Sequence, residues 1–477
     1  MRLLWCGAVC AVALAAQGTE PPAHKDLAGS WLGTLKIGPT HLRLAFEIER
    51  EGDGYRATLT SVDQGNAKIP CADVTLQNEA CEIRVPSIGG KLSGSWTEAG
   101  EIEGKWTQGG ARIPIVLTRV KSLPVARRPQ EPQGPLPYRW LEVRYEQPQG
   151  GFSLAGTLSE PEGEGPFPAV LLITGSGAQD RDEALAGHRP FLILADALTR
   201  RGLAVLRVDD RGIGGSGGGD TDPTTEELVD DVLAGVAFLK SRPEICSDQI
   251  ALVGHSEGGL IAPLAAVRSP DVAAIVLLAG PGTTGEQILY TQSAEIMAAG
   301  GASQELIDAN RAVQEKMFAE LKQQLDEDDR EHVERVLQEL LAEEPAVEVL
   351  LEGTEIDRQE WMERQLAACC SRWFRFFLFH DPVPVLEQVH CPVLALIGER
   401  DLQVSPKVNL PLIRDALARG KNSHATVQEL PELNHLFQTS KTGAISEYGQ
   451  IEETFAPAAL TLVGDWLYAR FKCRLSE

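Results

Sequence analysis

The sequence predicts two folded units: a small all-β domain, then a doubly wound α/β domain interrupted by a helical cap. Three observations carry that prediction. Between residues 25 and 120, short alternating runs such as "LRLAFEIER", "YRATLTSVD" and "RIPIVLTRV" are broken at steady spacing by Gly, Asp and Asn. Helical periodicity is missing there, so the pattern is that of half-buried antiparallel strands in a barrel or sandwich. From residue 138 onward, buried apolar runs alternate with helical patterns, the mark of a mostly parallel sheet covered on both faces. Between 283 and 380 the alternation stops and the chain turns helical and highly charged, which marks an insertion.

The elements follow in order. "MRLLWCGAVCAVALAAQ" has one Arg, an unbroken apolar or small run, and Ala13-Leu14-Ala15, whose small-x-small spacing suits signal peptidase. Residues 1–15 therefore read as a secretory signal. The run is too short for a comfortable membrane span, and no later stretch of about 18 apolar residues follows. The expectation is an exported protein, periplasmic or secreted, with no integral membrane segment after signal removal. "WCG" and "AVC" match poorly the small residues that a lipid anchor needs before its cysteine.

The β-domain occupies 25–120, and the Pro- and Arg-rich stretch "SLPVARRPQEPQGPLPY" makes 121–137 the linker. "WLEVRYEQ" and "FSLAGTLSEP" read as an antiparallel pair opening the first part of the α/β core, 138–282. "PAVLLITGSG", "LAVLRVDDRG", "QIALVGHS" and "VAAIVLLAGPG" are its buried strands. The helix "TTEELVDDVLAGVAFLKSRP" opens on Thr and acidic residues and closes on basic residues and Pro. The cap spans 283–380, and the core resumes over 381–474 with "CPVLALIGERD", "KVNLPLIRDALARG", "ATVQELP" and a final helix.

Composition narrows the partners. The formal net charge is −24 and no Lys/Arg cluster could track a phosphate backbone, which excludes nucleic acid and disfavours anionic membranes. Outside the signal the cysteines are Cys71, Cys81, Cys246, Cys369, Cys370, Cys391 and Cys473, with no zinc-type spacing. For Cys71 and Cys81 a bridge between neighbouring strands and two buried thiols both fit. Trp31, Trp96 and Trp106 suit either a β-domain core or a carbohydrate-stacking platform.

The chemistry concentrates in "IALVGHSEGGLIAPLAA", residues 250–266. A strand that turns directly into a helix at the carboxyl edge of a doubly wound sheet presents its central residue to the crevice. Gly254 and Gly258 leave room for that turn, and Ser256 sits at its tip as the nucleophile. A serine needs a base, and the base an acid to hold its tautomer. With the order serine, acid, histidine, the base follows a late strand: His435 in "ELNHLF" lies at the crevice edge, whereas His424 precedes its strand. Of Glu399 and Asp401 in "GERD", Asp401 beyond the turn has the better reach. The oxyanion needs two backbone N–H donors, assigned to Glu257 and to Ser176, with Gly177 next to it. In "VDDRGIGGSGGG", Arg211 is expected in an internal ion pair; Asp180, Arg181 and Asp182 either meet substrate or solvate their loop. Trp373, Phe374, Phe376 and Phe377 are expected mainly as cap core.

Residues from about Trp140 to Lys472 resemble the α/β-hydrolase superfamily, through "GHSEGG", "DDRGIGGSG", "GERD" and "LNH" in that order. "LLITGSGAQDRDE", "GHSEGGLIAPLAA" and the preceding β-domain are similar to secreted bacterial esterases and serine aminopeptidase-like hydrolases. The resemblance implies the α/β-hydrolase fold and a carboxylic-ester hydrolase acting on a small-molecule ester, with Ser256, Asp401 and His435 as its triad and no cofactor or metal. An exopeptidase or acyl-peptide hydrolase on the same triad is the alternative; it needs an acidic site for a substrate amine, for which Glu257, Asp180 or Asp182 are available. Glu257 departs from the usual pattern, since an apolar or amide residue more often follows the nucleophile. A carboxylate there would repel acidic substrates or bind a cationic group.

Overall fold

The computed structural model describes residues 26–471, apart from 38–39, 53, 63–66, 78, 110, 124–126, 220–221, 324–329, 353–356 and 370. The signal expected over 1–15 lies outside the described residues.

Among the described residues, nine strands form the N-terminal unit: β1 (Gly29–Ile37), β2 (Thr40–Glu51), β3 (Gly54–Ser61), β4 (Ala67–Pro70), β5 (Ala72–Gln77), β6 (Ala80–Val85), β7 (Gly90–Trp96), β8 (Ile102–Gln108) and β9 (Ala111–Val120). Their order is β2-β1-β9-β8-β7-β6-β5-β3-β4, all pairs are antiparallel, and a further β2–β3 pairing closes the sheet into a barrel. Closure removes most of the exposed edge that an open sheet would present. Alternate residues point inward, so Trp31, Phe46, Leu59, Ile83 and Trp106 make one packed core. Trp31 and Trp106 are therefore interior residues and form no exposed platform. Cys71 and Cys81 are free thiols packed in or against this core, and burial pushes both up to about 11.

Within 121–137 no described residue lies in a helix or strand. The segment is nonetheless docked. Arg128 donates to the carbonyls of Gly187 (2.9 Å), Gly449 (3.0 Å), Ile451 (3.1 Å) and Ala186 (3.3 Å), and Gln130 donates to Phe455 O (2.7 Å).

The second unit contains β10 (Tyr138–Gln147), β11 (Phe152–Pro161), β12 (Phe167–Ile173), α1 (Pro190–Thr199), β13 (Ala204–Val208), α2 (Thr225–Lys240), β14 (Ile245–His255), α3 (Gly258–Arg268) and β15 (Ala274–Leu278). Cap helices α4 (Gly285–Ala299), α5 (Gln304–Gln323), α6 (Arg330–Ala342), α7 (Pro345–Leu351), α8 (Arg358–Cys369) and α9 (Arg372–Phe379) follow. The chain then returns through α10 (Val383–Leu386), β16 (Val393–Gly398), α11 (Pro406–Arg419), β17 (Ala425–Leu430) and α12 (Pro457–Phe471). The sheet order is β10-β11-β13-β12-β14-β15-β16-β17; the β10–β11 and β11–β13 pairs are antiparallel and the other neighbours run parallel.

The sequence explains this layering. In β12, Leu171 and Ile173 pack with α2 and α3, while Val170 and Leu172 pack with α1 and α12, so "FPAVLLI" is apolar on both faces. Helix α2 starts at a capping box in which Thr224 Oγ1 accepts from Glu227 N and Glu227 returns the bond to Thr224 N. The cap has its own core around Met317, Phe318, Leu321 and Leu337. It meets the sheet domain through Ile288 and Phe377, which pack against Leu260, Ile397 and Val404. From β12 the chain goes first to β13 on one side and then to β14 on the other. The loops after β12 and β14 therefore flank a topological switch point, where a crevice opens.

Candidate active site

Ser256 follows β14 at that switch point with φ of +52°, a left-handed conformation rare for a non-glycine residue and held by Ser256 N–H donating to Leu278 O at 2.8 Å. The glycines around it answer to space: a Cβ on Gly254 would meet Gly258 O, and one on Gly258 would meet Ile173 O. This is the sharp strand-to-helix turn expected from "GHSEG".

The other expected residues arrive from neighbouring strand ends. Asp401, beyond β16, is buried; its Oδ2 accepts from His435 Nδ1 at 2.8 Å and its Oδ1 accepts from Gln403 N and Val404 N, both at 2.8 Å. These bonds hold the carboxylate on the imidazole and leave Nε2 as the ring nitrogen available to a hydroxyl. Ser256 and His435 line one cavity of about 260 Å³ under the cap, together with Ser176, Glu257, Ile288, Leu289, Trp373 and Phe377. Glu399 turns elsewhere and accepts from Glu432 N, and His424 is exposed ahead of β17.

Ser176 and Glu257 meet across this cavity. Thr225 Oγ1 (2.6 Å) and Trp373 Nε1 (2.7 Å) donate to the Glu257 carboxylate, and the Ser176 side chain lies close enough to favour its charged form. Burial pushes that carboxyl above its ordinary range against these interactions. Glu257 thus joins the loop after β12, the start of α2 and cap helix α9, instead of offering an open charge to a ligand. Trp373 stacks on Phe377 with centroids 5.3 Å apart, so these two aromatics of the cap wall the cavity as well as packing the cap.

The acidic loop residues are equally engaged. Asp182 is buried between Arg189 and Arg207, Arg181 bridges Asp209 and Glu142, and Asp180 Oδ1 accepts from the backbone of Asp182 and Ala184. Arg211 pairs with Asp231 at 2.7 Å, the internal ion pair expected of it.

Two residues at the site were not singled out from the sequence. His255 is buried, with Nδ1 at 2.9 Å from Glu183 Oε1 and Nε2 at 2.9 Å from the carbonyl oxygen of His435. Glu183 Oε1 also accepts from Gly175 N at 2.7 Å. The available signal was the histidine next to Ser256; its partner lies 72 residues away. Among the described residues, no group of three His, Cys, Asp or Glu is placed to hold a metal ion, and no helix is long and apolar enough to cross a membrane.

Residues 189–440, more than half of the chain, match the Hydrolase_4 family model, described as "Serine aminopeptidase, S33". Esterase EstD of Thermotoga maritima is 26% identical over 287 residues, covering 59% of this chain and 58% of that protein. Esterase FrsA of Shigella dysenteriae serotype 1 is 26% identical over 238 residues, covering 49% and 54%. The chain thus spans less than two thirds of the length of either relative. Among solved structures, the Pyrococcus furiosus esterase Pf2001 overlays with a TM-score of 0.38 at 16% identity, covering 70% of this chain and 93% of that one. The α/β hydrolase GrgF from Penicillium sp. sh18 overlays with a TM-score of 0.40 at 19% identity, covering 71% and 100%. The chain has the α/β-hydrolase fold behind an N-terminal β-barrel, and it belongs to the serine aminopeptidase S33 family.

Proposed function

We propose that this protein is an exported serine hydrolase that cleaves carboxylic esters of small molecules through an acyl-enzyme. The observation that carries the reading is the buried Asp401–His435 pair sharing a cavity with a serine on a left-handed turn. Ser256 Oγ attacks the ester carbonyl while His435 Nε2 takes its proton; Asp401 keeps Nδ1 protonated and stabilises the imidazolium that forms. The tetrahedral oxyanion receives the backbone N–H of Glu257, at the start of α3, and that of Ser176. Gly175 N–H is already committed to Glu183, which moves the loop's share of this role to Ser176. His435 returns the proton to the leaving alcohol, water repeats the sequence, and the free acid leaves.

The exopeptidase reading needs an acidic group open to a substrate amine. Glu257, Asp180 and Asp182, the groups available for it, are all engaged within the protein. That favours esters, as do the names of the two esterase relatives. Steady-state hydrolysis of p-nitrophenyl esters from acetate to laurate, beside aminoacyl p-nitroanilides, tests the assignment. Short esters cleaved and anilides ignored is the expected result; comparable efficiency on anilides would make it a peptidase. Export rests on the apolar leader, and N-terminal sequencing of the secreted or periplasmic form checks it.

A further inference from the structure

His255 stands between the two halves of the site, and its hydrogen-bond partners determine its protonation. Glu183 Oε1 already accepts the Gly175 N–H, so it faces His255 Nδ1 as a lone-pair oxygen. The partner of Nε2 is a backbone carbonyl, which can only accept. A neutral imidazole carries one proton and would leave a bare nitrogen against one of these oxygens in a dry setting. We propose that His255 is held as an imidazolium paired with Glu183, and that it acts as a positioning residue, locking the nucleophile turn to the loop of the general base through the His435 carbonyl. The proposal rests on the reading of His435 as that base.

Three further observations fit this latch. Glu183 has φ of +52°, so strained backbone presents its carboxylate to the site. A Cβ on Gly175 would sit 3.2 Å from both Glu183 Oε1 and Ser256 Cβ, which places the pair directly beside the turn. Two carboxylates favour the charge on His255, Glu183 in contact and Asp401 farther off, while the His435 ring lies 4.8 Å and the Phe437 ring 6.5 Å away, centroid to centroid. Burial alone lowers the His255 pKa, but the Glu183 charge and hydrogen bond, the His435 carbonyl and Asp401 outweigh it, and the net direction is upward.

The sign of the pH dependence follows. The latch needs the proton on His255, so its contribution is complete at low pH and is lost as pH rises through the raised His255 value. His255 therefore sets an alkaline limb of the kcat profile.

The deciding experiment is nitrogen-15 NMR of the full-length protein labelled at its histidine rings, with His255 assigned by difference against Glu183→Gln and His255→Gln. Protons on both ring nitrogens of His255 at pH 7 are expected; one bare nitrogen overturns the proposal. Kinetics on the same proteins add a functional readout. Glu183→Gln should move the alkaline limb of kcat down by about one pH unit or more. His255→Gln should abolish that limb and lower kcat about tenfold to a hundredfold while KM changes less than about twofold. A limb that neither variant moves also overturns the proposal. If His255→Gln does not fold, the wild type and Glu183→Gln suffice. Failure of the catalytic reading is separate: Ser256 would then resist a fluorophosphonate probe whatever the protonation of His255.

Discussion

The barrel and the doubly wound sheet handle polar groups in opposite ways. Among the described residues of 26–120, the buried polar side chains are Thr60 and Ser61, and none is charged. The α/β unit buries Glu183, Arg207, His255, Glu257, Asp401 and His435. Burying charge is costly unless every group is matched, and in the sheet domain most of these residues are matched across loops that meet at the switch point. A closed barrel has an interior and an outside, and its interior here is filled. An open parallel sheet has a crevice where the strand order reverses, and the costly residues collect there. Buried charge in this molecule therefore separates the region built for chemistry from the region built for packing.

That contrast can be broken most severely at Ser256, the proposed nucleophile. Ser256→Ala should lower kcat on a short p-nitrophenyl ester about ten-thousand-fold or more, with the thermal unfolding curve unchanged. Asp401→Asn should cost about a thousand- to ten-thousand-fold, because an amide no longer holds His435 in the productive tautomer. Steady-state kinetics beside circular dichroism checks both. In the barrel the expectation reverses. Trp106→Ala removes a buried aromatic from the filled interior and should destabilise that domain by about 3–5 kcal/mol. It should leave kcat and KM of the folded enzyme unchanged; a large loss of kcat would mean that the two units are not functionally separate.

Smaller effects sharpen the boundary. Arg128→Ala removes hydrogen bonds to carbonyls in two loops of the sheet domain, and urea unfolding should show a loss of about 2–3 kcal/mol in that domain. Trp373→Phe keeps the stack on Phe377 and deletes the indole N–H bond to Glu257. It should raise KM about fivefold, equivalent to about 1 kcal/mol, with little change in kcat.

Much of this was legible in the sequence because it is set locally. Alternation with a period of two predicts the barrel strands, and runs apolar on both faces predict the parallel strands. The sharp turn at Ser256 is expected from Gly254 and Gly258, and the Asp401–His435 contact from the order of strand ends. What stayed hidden depends on pairing between distant segments. Arg128 was part of a Pro-rich stretch read as a linker, yet it bonds to Ile451, 323 residues away. Glu183 lay in a polar loop with nothing to mark its approach to His255. The Glu257 carboxylate invited a reading as a ligand for charge, and only the donors from α2 and the cap show it to be a structural joint.

The central claim, that Ser256 is the nucleophile of an ester hydrolase, is tested most directly by trapping the acyl-enzyme. Wild type and Ser256→Ala would be mixed briefly with p-nitrophenyl acetate, quenched in acid and mapped by peptide mass spectrometry. A single acetyl group on the peptide containing Ser256, absent from the variant, is the predicted result. Turnover with no adduct at Ser256, or an adduct that persists in the variant, would contradict the account.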